Sequence, residues 1–203
     1  MCNHFQLNTG ALDDWAIAQA IAMNAVIADV TTDVWPKRSA LVVRNTGNKR
    51  VFDRMSWGVP MTIAGKRSGT HITKHVTNVR NLASPFWKST LAKPNQRCLV
   101  PFSRFAEPKP GKDAVTGRPA EHWFGIADAP VAAFAGIWRS VDDLNVFAFL
   151  TCDPNNLVKP LHPKAMPLIL MPDDYNRWLE GSYDDVVALQ AQFPSQLMRV
   201  LPS

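Results

Sequence analysis

The chain has 203 residues, 46% of them hydrophobic, with 22 Lys and Arg against 17 Asp and Glu, a formal net charge of +5 and three cysteines. That length and apolar content suffice for a buried core, and three cysteines are too few for a disulfide framework, which fits a reducing compartment. No run of roughly 18 apolar residues exists to span a bilayer, and MCNHFQLNTG lacks the basic start and apolar run of a secretory signal, so a cytoplasmic, membrane-free protein with one domain over residues 1–203 is expected.

Local pattern predicts the elements in chain order. LDDWAIAQAIAMNAVI (12–27) has apolar residues at helical spacing and acids in its first turn, which predicts an amphipathic helix. ALVVR (40–44), RCLVP (97–101), HWFGIA (122–127), VAAFAGIW (131–138), VFAFLT (146–151) and MPLILM (166–171) are short apolar or β-branched runs bounded by Pro, Gly, Asn or Asp and read as strands. Ser84 followed by Pro85 places a helix start ahead of FWKSTLAK. EPKPGKDAVTGRPAE (107–121) reads as a long surface loop, and PDDYNRWLEG (172–181) as a helix closed by Gly181. Many short strands without regular βαβ alternation predict an α+β fold with a mostly antiparallel, barrel-like sheet core and peripheral helices.

The charge is unevenly spread. Residues 54–106 hold nine basic residues (Arg54, Lys66, Arg67, Lys74, Arg80, Lys88, Lys93, Arg97, Arg104) and no acid, so this window is +9 and the remainder sums to −4. Such an asymmetry is an electrostatic footprint for a polyanion, nucleic acid first of all. SWGVP (56–60) and SPFWK (84–88) add Trp57, Phe86 and Trp87 as stacking or wedge surfaces for bases, although a tryptophan taken singly is more often a core residue. His71 and His75 in HITKH have no Cys or acid nearby to complete a metal site, and no metal or cofactor is expected.

Cys98 and Cys152 end or interrupt apolar runs and read as small buried hydrophobes. Cys2 has no such run around it. With Met1 trimmed, it presents a free amine and a thiol on adjacent carbons, with reference pKa values of about 7.7–8.0 and about 8.5. That pair condenses with an aldehyde to a Schiff base and closes to a five-membered thiazolidine. An N-terminal nucleophile needs a general acid/base and a hydrogen-bonding group to hold it.

MCNHF resembles the MCGRF opening of the SOS-response-associated peptidase family, proteins that crosslink to abasic sites in single-stranded DNA. The resemblance continues in order through LVVRNTGNKRVFDRMSWGVP, TNVRN, RCLVPFSRFAEP, FAGIW and LHPKAMPLIL, and covers roughly residues 2–180. It implies Cys2 as nucleophile, Asn78 as the amide that positions it, Glu107 as general acid/base and His162 as a hydrogen-bonding or proton-relaying group. It implies DNA contacts from Arg80 to a phosphate and from an apolar shelf formed by Trp57 to Pro60; Lys37 and Arg38, at a segment that departs from the family, are candidates to replace its basic contacts, and Arg44, Phe86 and Trp87 complete the candidate DNA surface. The implied partner is single-stranded DNA with abasic sites, including single/double-strand junctions, bound by a monomer. The chain departs from the family pattern at Asn3 and His4 (Gly and Arg in the family), at DVWPKR where only Pro36 aligns, at Leu82 (Glu), at RFAEP (GFYEW) and at Ala165 (Arg).

Two other classes stay open. Class II glutamine amidotransferase domains also begin Met-Cys, so an N-terminal-nucleophile amidohydrolase or peptidase, acting even on its own Met1 alone, is an alternative. A non-catalytic DNA-binding module with an incidental Cys2 is the other, and reversible, salt-sensitive binding indifferent to Cys2→Ser would mark it.

Overall fold

A computed structural model describes residues 2–24, 26–27, 30–114 and 116–202. The first half contains β1 (His4–Gln6), α1 (Leu12–Ala18), β2 (Ile21–Ala22), β3 (Asp33–Val34), β4 (Ser39–Thr46), β5 (Lys49–Trp57), β6 (Val59–Ala64), β7 (His71–Val76) and β8 (Asn78–Val79). Next come α2 (Pro85–Leu91), β9 (Arg97–Phe102), β10 (Arg104–Lys112), β11 (Pro119–Ile126), β12 (Ala132–Val141) and β13 (Leu144–Cys152). The chain ends with β14 (Met166–Pro167), β15 (Ile169–Leu170), α3 (Tyr175–Glu180), α4 (Tyr183–Ala188) and β16 (Met198–Leu201). The architecture is α+β, built on a closed five-stranded barrel as the sequence pattern predicts.

Around the barrel β5 pairs with β4, β4 with β9, β9 with β12 and β12 with β13, all antiparallel. An odd number of strands cannot alternate direction all the way round, so one junction must be parallel. Here it is β13 against β5, with Val146 opposite Ser56 and Phe147 opposite Trp57. The β12–β13 hairpin turns on Asp142 (φ 47°) and Asp143 (φ 64°), the two positive-φ positions that a tight two-residue hairpin requires. At Gly136 on β12 a Cβ would stand 2.7 Å from Cys98 Sγ, so only glycine lets β9 and β12 approach there.

A second sheet runs in the order β16, β11, β10, β1, β3. Its inner face meets the barrel through aromatic rings: Phe5 meets Trp57 and Phe134 edge-on, and Phe105 meets Phe102 and Phe134 edge-on, the latter two stacked on each other within the barrel. A two-stranded ribbon, β6 with β7, stands apart from both sheets, and His71 to His75 along it are exposed.

Three expectations are corrected. The helix expected over 12–27 ends at Ala18; Ala20 takes φ 52°, and Ile21–Ala22 pairs in parallel with Arg50–Val51, so sheet pairing overrides a continuous helical pattern. Residue 25 of that expected span lies outside the described residues. The expected loop 107–121 is instead most of a hairpin, β10 with β11, whose register shifts between Pro108 and Lys112. Its turn is closed by Asp113 Oδ1, which accepts from Thr116 N–H and Oγ1–H at 2.7 and 2.8 Å. The expected MPLILM strand is divided into β14, which pairs with β13, and β15, which pairs with β12. Among the described residues no helix is long and apolar enough to cross a membrane.

Candidate functional site

Four residues far apart in sequence meet where the second sheet abuts the barrel. β1 lies antiparallel to β10 with His4 opposite Ala106 and Phe5 opposite Phe105, which brings Glu107 beside the residues that precede His4. Cys2 and Glu107 are both fully buried, and the thiol donates to the His4 carbonyl at 3.4 Å. Asn78 arrives from the parallel pairing of β8 with β13, and its Nδ2 donates to the Cys2 carbonyl at 2.9 Å and to Thr77 Oγ1 at 2.8 Å. Its Oδ1 is buried with no hydrogen-bond partner among the described residues. His162 follows a turn whose amide donates to Val158, and its Nδ1 lies 2.8 Å from the Ala165 carbonyl and 3.5 Å from Glu107 Oε2. A carbonyl only accepts, so Nδ1 carries hydrogen and Nε2 is left as the basic nitrogen.

The electrostatics suit proton exchange. Burial raises the Cys2 thiol well above its ordinary value, and the neighbouring Glu107 charge raises it further. Burial likewise raises Glu107 to about 7, so this carboxyl both takes and gives a proton near neutrality. Burial lowers His162, which favours its neutral form. The thiol at rest is therefore held in its protonated form beside a carboxyl that titrates near neutrality.

The structure places the expected DNA contacts less uniformly. Trp57 is fully buried; its Nε1 donates to the Thr77 carbonyl at 3.0 Å and its ring stacks on Phe149. It is a core residue that fixes the chain just before Asn78, not a shelf for a base. Trp87 is also buried, with Phe86 packed edge-on against it beneath the Arg139 guanidinium. Arg44 is committed to Asp53 at 2.7 Å and to the Trp138 ring. Arg80 is exposed but paired with Asp153. Pro60 is half-buried on β6. Lys37 and Arg38 are exposed in the turn after β3, where the Lys37 amide donates to Trp57 O at 2.7 Å and Arg38 O accepts from Trp57 N–H at 2.9 Å. Within the basic window Arg97 is 1% exposed and donates to Leu91 O, Trp178 O and Gly181 O, so its charge is structural.

Sequence reading missed Thr77, which links Trp57 to Asn78, and the partners of His4. His4 is held between Asp33 at 2.6 Å and Glu121 at 2.8 Å and stacks on Trp35. Alternation along HFQ and RFAEP, once paired, would have shown His4 and Ala106 sharing the face opposite Phe5 and Phe105. Among the described residues no three His, Cys, Asp or Glu side chains converge as a metal site, and all three cysteines are free and buried.

Three solved structures share the fold. A protein from Bordetella bronchiseptica is 22% identical with a TM-score of 0.76, covering 100% of both chains. One from Bacteroides thetaiotaomicron is 18% identical at 0.75, covering 99% of this chain and 92% of that one. A phage-related protein from Bordetella bronchiseptica is 20% identical at 0.70, covering 100% of this chain and 94% of that one. No curated protein matches. The sequence profile of the SOS response associated peptidase (SRAP) family matches residues 1–202, essentially the whole chain, and the protein belongs to that family and with it to the proteins associated with the response to DNA damage.

Proposed function

We propose that the protein traps abasic sites in single-stranded DNA as a thiazolidine at Cys2. The observation that carries this reading is the meeting of Cys2 with Asn78, Glu107 and His162: a held main chain, a sealed thiol and a carboxyl that titrates near neutrality. Removal of Met1 frees the Cys2 amine. The amine adds to the aldehyde of the ring-opened sugar and water leaves, giving an imine. Glu107 accepts the thiol proton, sulfur bonds to the imine carbon, and the nitrogen takes up a proton, so the thiazolidine forms with loss of one water overall. Asn78 Oδ1, a buried acceptor lacking a donor among the described residues, suits the Cys2 ammonium or a sugar hydroxyl; an unsatisfied buried acceptor costs about 1–3 kcal/mol, which such a donor relieves. His162 Nε2 is the second base within the cluster.

Mixing Met1-free protein with a single-stranded oligonucleotide bearing one abasic site, then denaturing, is expected to leave a shifted covalent band that Cys2→Ala lacks. No band from Met1-free wild type refutes the reading. The burial of Cys2 favours a second activity, self-removal of Met1, because the Cys2 side of that bond is enclosed in the fold. Intact mass decides it: Met1 retained in Glu107→Gln but lost in wild type supports self-processing, and loss in both refutes it.

A further inference from the structure

Beside β1 and β10 lies a cavity of about 430 Å³ whose lining includes none of Cys2, Asn78, Glu107 and His162 and which the trapping chemistry does not use. Asn3, His4 and Pro108, three positions at which the chain departs from the family pattern, all line it, together with Trp35, Trp123 and Arg118. His4 is 5% exposed, its two ring nitrogens are spent on Asp33 and Glu121, and Trp123 meets it edge-on at 4.6 Å. It offers nothing to a ligand, but it backs one ring that does. Trp35 stacks on His4 with centroids 3.8 Å apart, its Nε1 donates to Asp33 Oδ2 at 3.0 Å, and it is nonetheless 37% exposed. An indole fixed in plane, covered on one face and lining a cavity, is a stacking platform of the kind single-stranded nucleic acid uses.

The charges around it sort the parts of a nucleotide. Asp113, Glu121 and Arg118 line the cavity, two carboxylates against one guanidinium, a lining that leans against a phosphate and offers acceptors and donors to a base edge. Lys37 and Arg38, two and three residues beyond Trp35, are exposed outside the cavity and suit a phosphate. Asn3, the residue that follows Cys2, lines the cavity, so the platform adjoins the trapping site along the chain.

We propose that Trp35 stacks the base next to the abasic nucleotide, with the base edge in the cavity and its phosphate over Lys37 and Arg38. This rests on the reading that Cys2 holds an abasic strand, and adds that a neighbour of the lesion is read as well. The test uses oligonucleotides carrying a tetrahydrofuran lesion, which has no aldehyde, with the neighbour on the 5′ or 3′ side either a normal base or a second tetrahydrofuran. Wild type is expected to lose roughly tenfold in affinity when the base on one side is removed, the effect of one lost base–aromatic stack. Trp35→Ala is expected to lose a similar factor on the base-bearing DNA and to become indifferent to the neighbour, while Trp35→Phe keeps most of the discrimination. Wild type indifferent on both sides, or Trp35→Ala weakened equally on all the DNAs, overturns the proposal. Covalent trapping of a true abasic site, run in parallel, separates the two readings. Trapping without neighbour discrimination removes the Trp35 platform alone, and discrimination without trapping removes the thiazolidine alone.

Discussion

Glu107 has two separable consequences. Its carboxyl is raised by burial to about 7, against an ordinary value near 4.5, so the folded protein holds a proton that the unfolded chain releases between those values. The folded state binds more protons there, and stability therefore falls as pH rises from about 4.5 to about 7. Glu107→Gln is expected to remove that slope and to be more stable than wild type above pH 7, by an amount on the order of 2–3 kcal/mol, read from urea midpoints at pH 5 and 8. Trapping moves the other way, since Glu107 must be ionised to accept the thiol proton. Its rate is expected to rise through pH 7 in wild type and to be lower by about 10²-fold or more, without that inflection, in Glu107→Gln. The same rate at all pH values in both proteins would take the base role from Glu107. Glu107 was legible in the sequence as the first acid after a long basic window, but its burial was not, because nothing in RFAEP says that the strand carrying it is covered on that face.

Elements hold the site through a few committed side chains. Arg97 on β9 donates to carbonyls at the ends of α2 and α3, where a cation is favoured by the helix dipole as well as by the hydrogen bonds. Arg97→Met leaves those buried carbonyls unpaired and is expected to cost about 2–4 kcal/mol in urea denaturation. Arg97→Lys recovers little, since one ammonium does not replace a fork spread over three carbonyls. Four of the five barrel strands were legible because each is a short apolar run with turn residues at its ends, as in AAFAGIW before the Asp142–Asp143 turn. β5, β6 and β7 were not, because KRVFDRMSW and HITKHV mix charges with apolar residues. The Pro-rich composition of 107–121 likewise concealed a hairpin whose two strands pair despite a shifted register. Trp57 and Trp87 misled for a related reason: a tryptophan inside a basic window has no local mark of the core, and only the closed barrel decides it.

At the scale of the whole molecule, the basic window divides into a buried part, Arg97, and exposed parts, among them the β6–β7 ribbon, whose Lys66, Arg67 and Lys74 lie well inside the acid-free window. If these three meet phosphates of a single strand, replacing all three by Gln lowers the slope of log affinity against log salt by about 2, at roughly 0.7 per contact. An unchanged slope in a salt titration would leave the ribbon without a part in binding. The parallel junction of the barrel also carries a clock. Asn78 is placed by β13, the strand that makes that junction, so the cradle of Cys2 is incomplete until residue 150 has left the ribosome. At ~5–20 residues per second the first residues wait on the order of ten to thirty seconds before burial is possible. During that interval the bond ahead of Cys2 is open to a trimming enzyme, and once the barrel closes, the Cys2 side of that bond is buried.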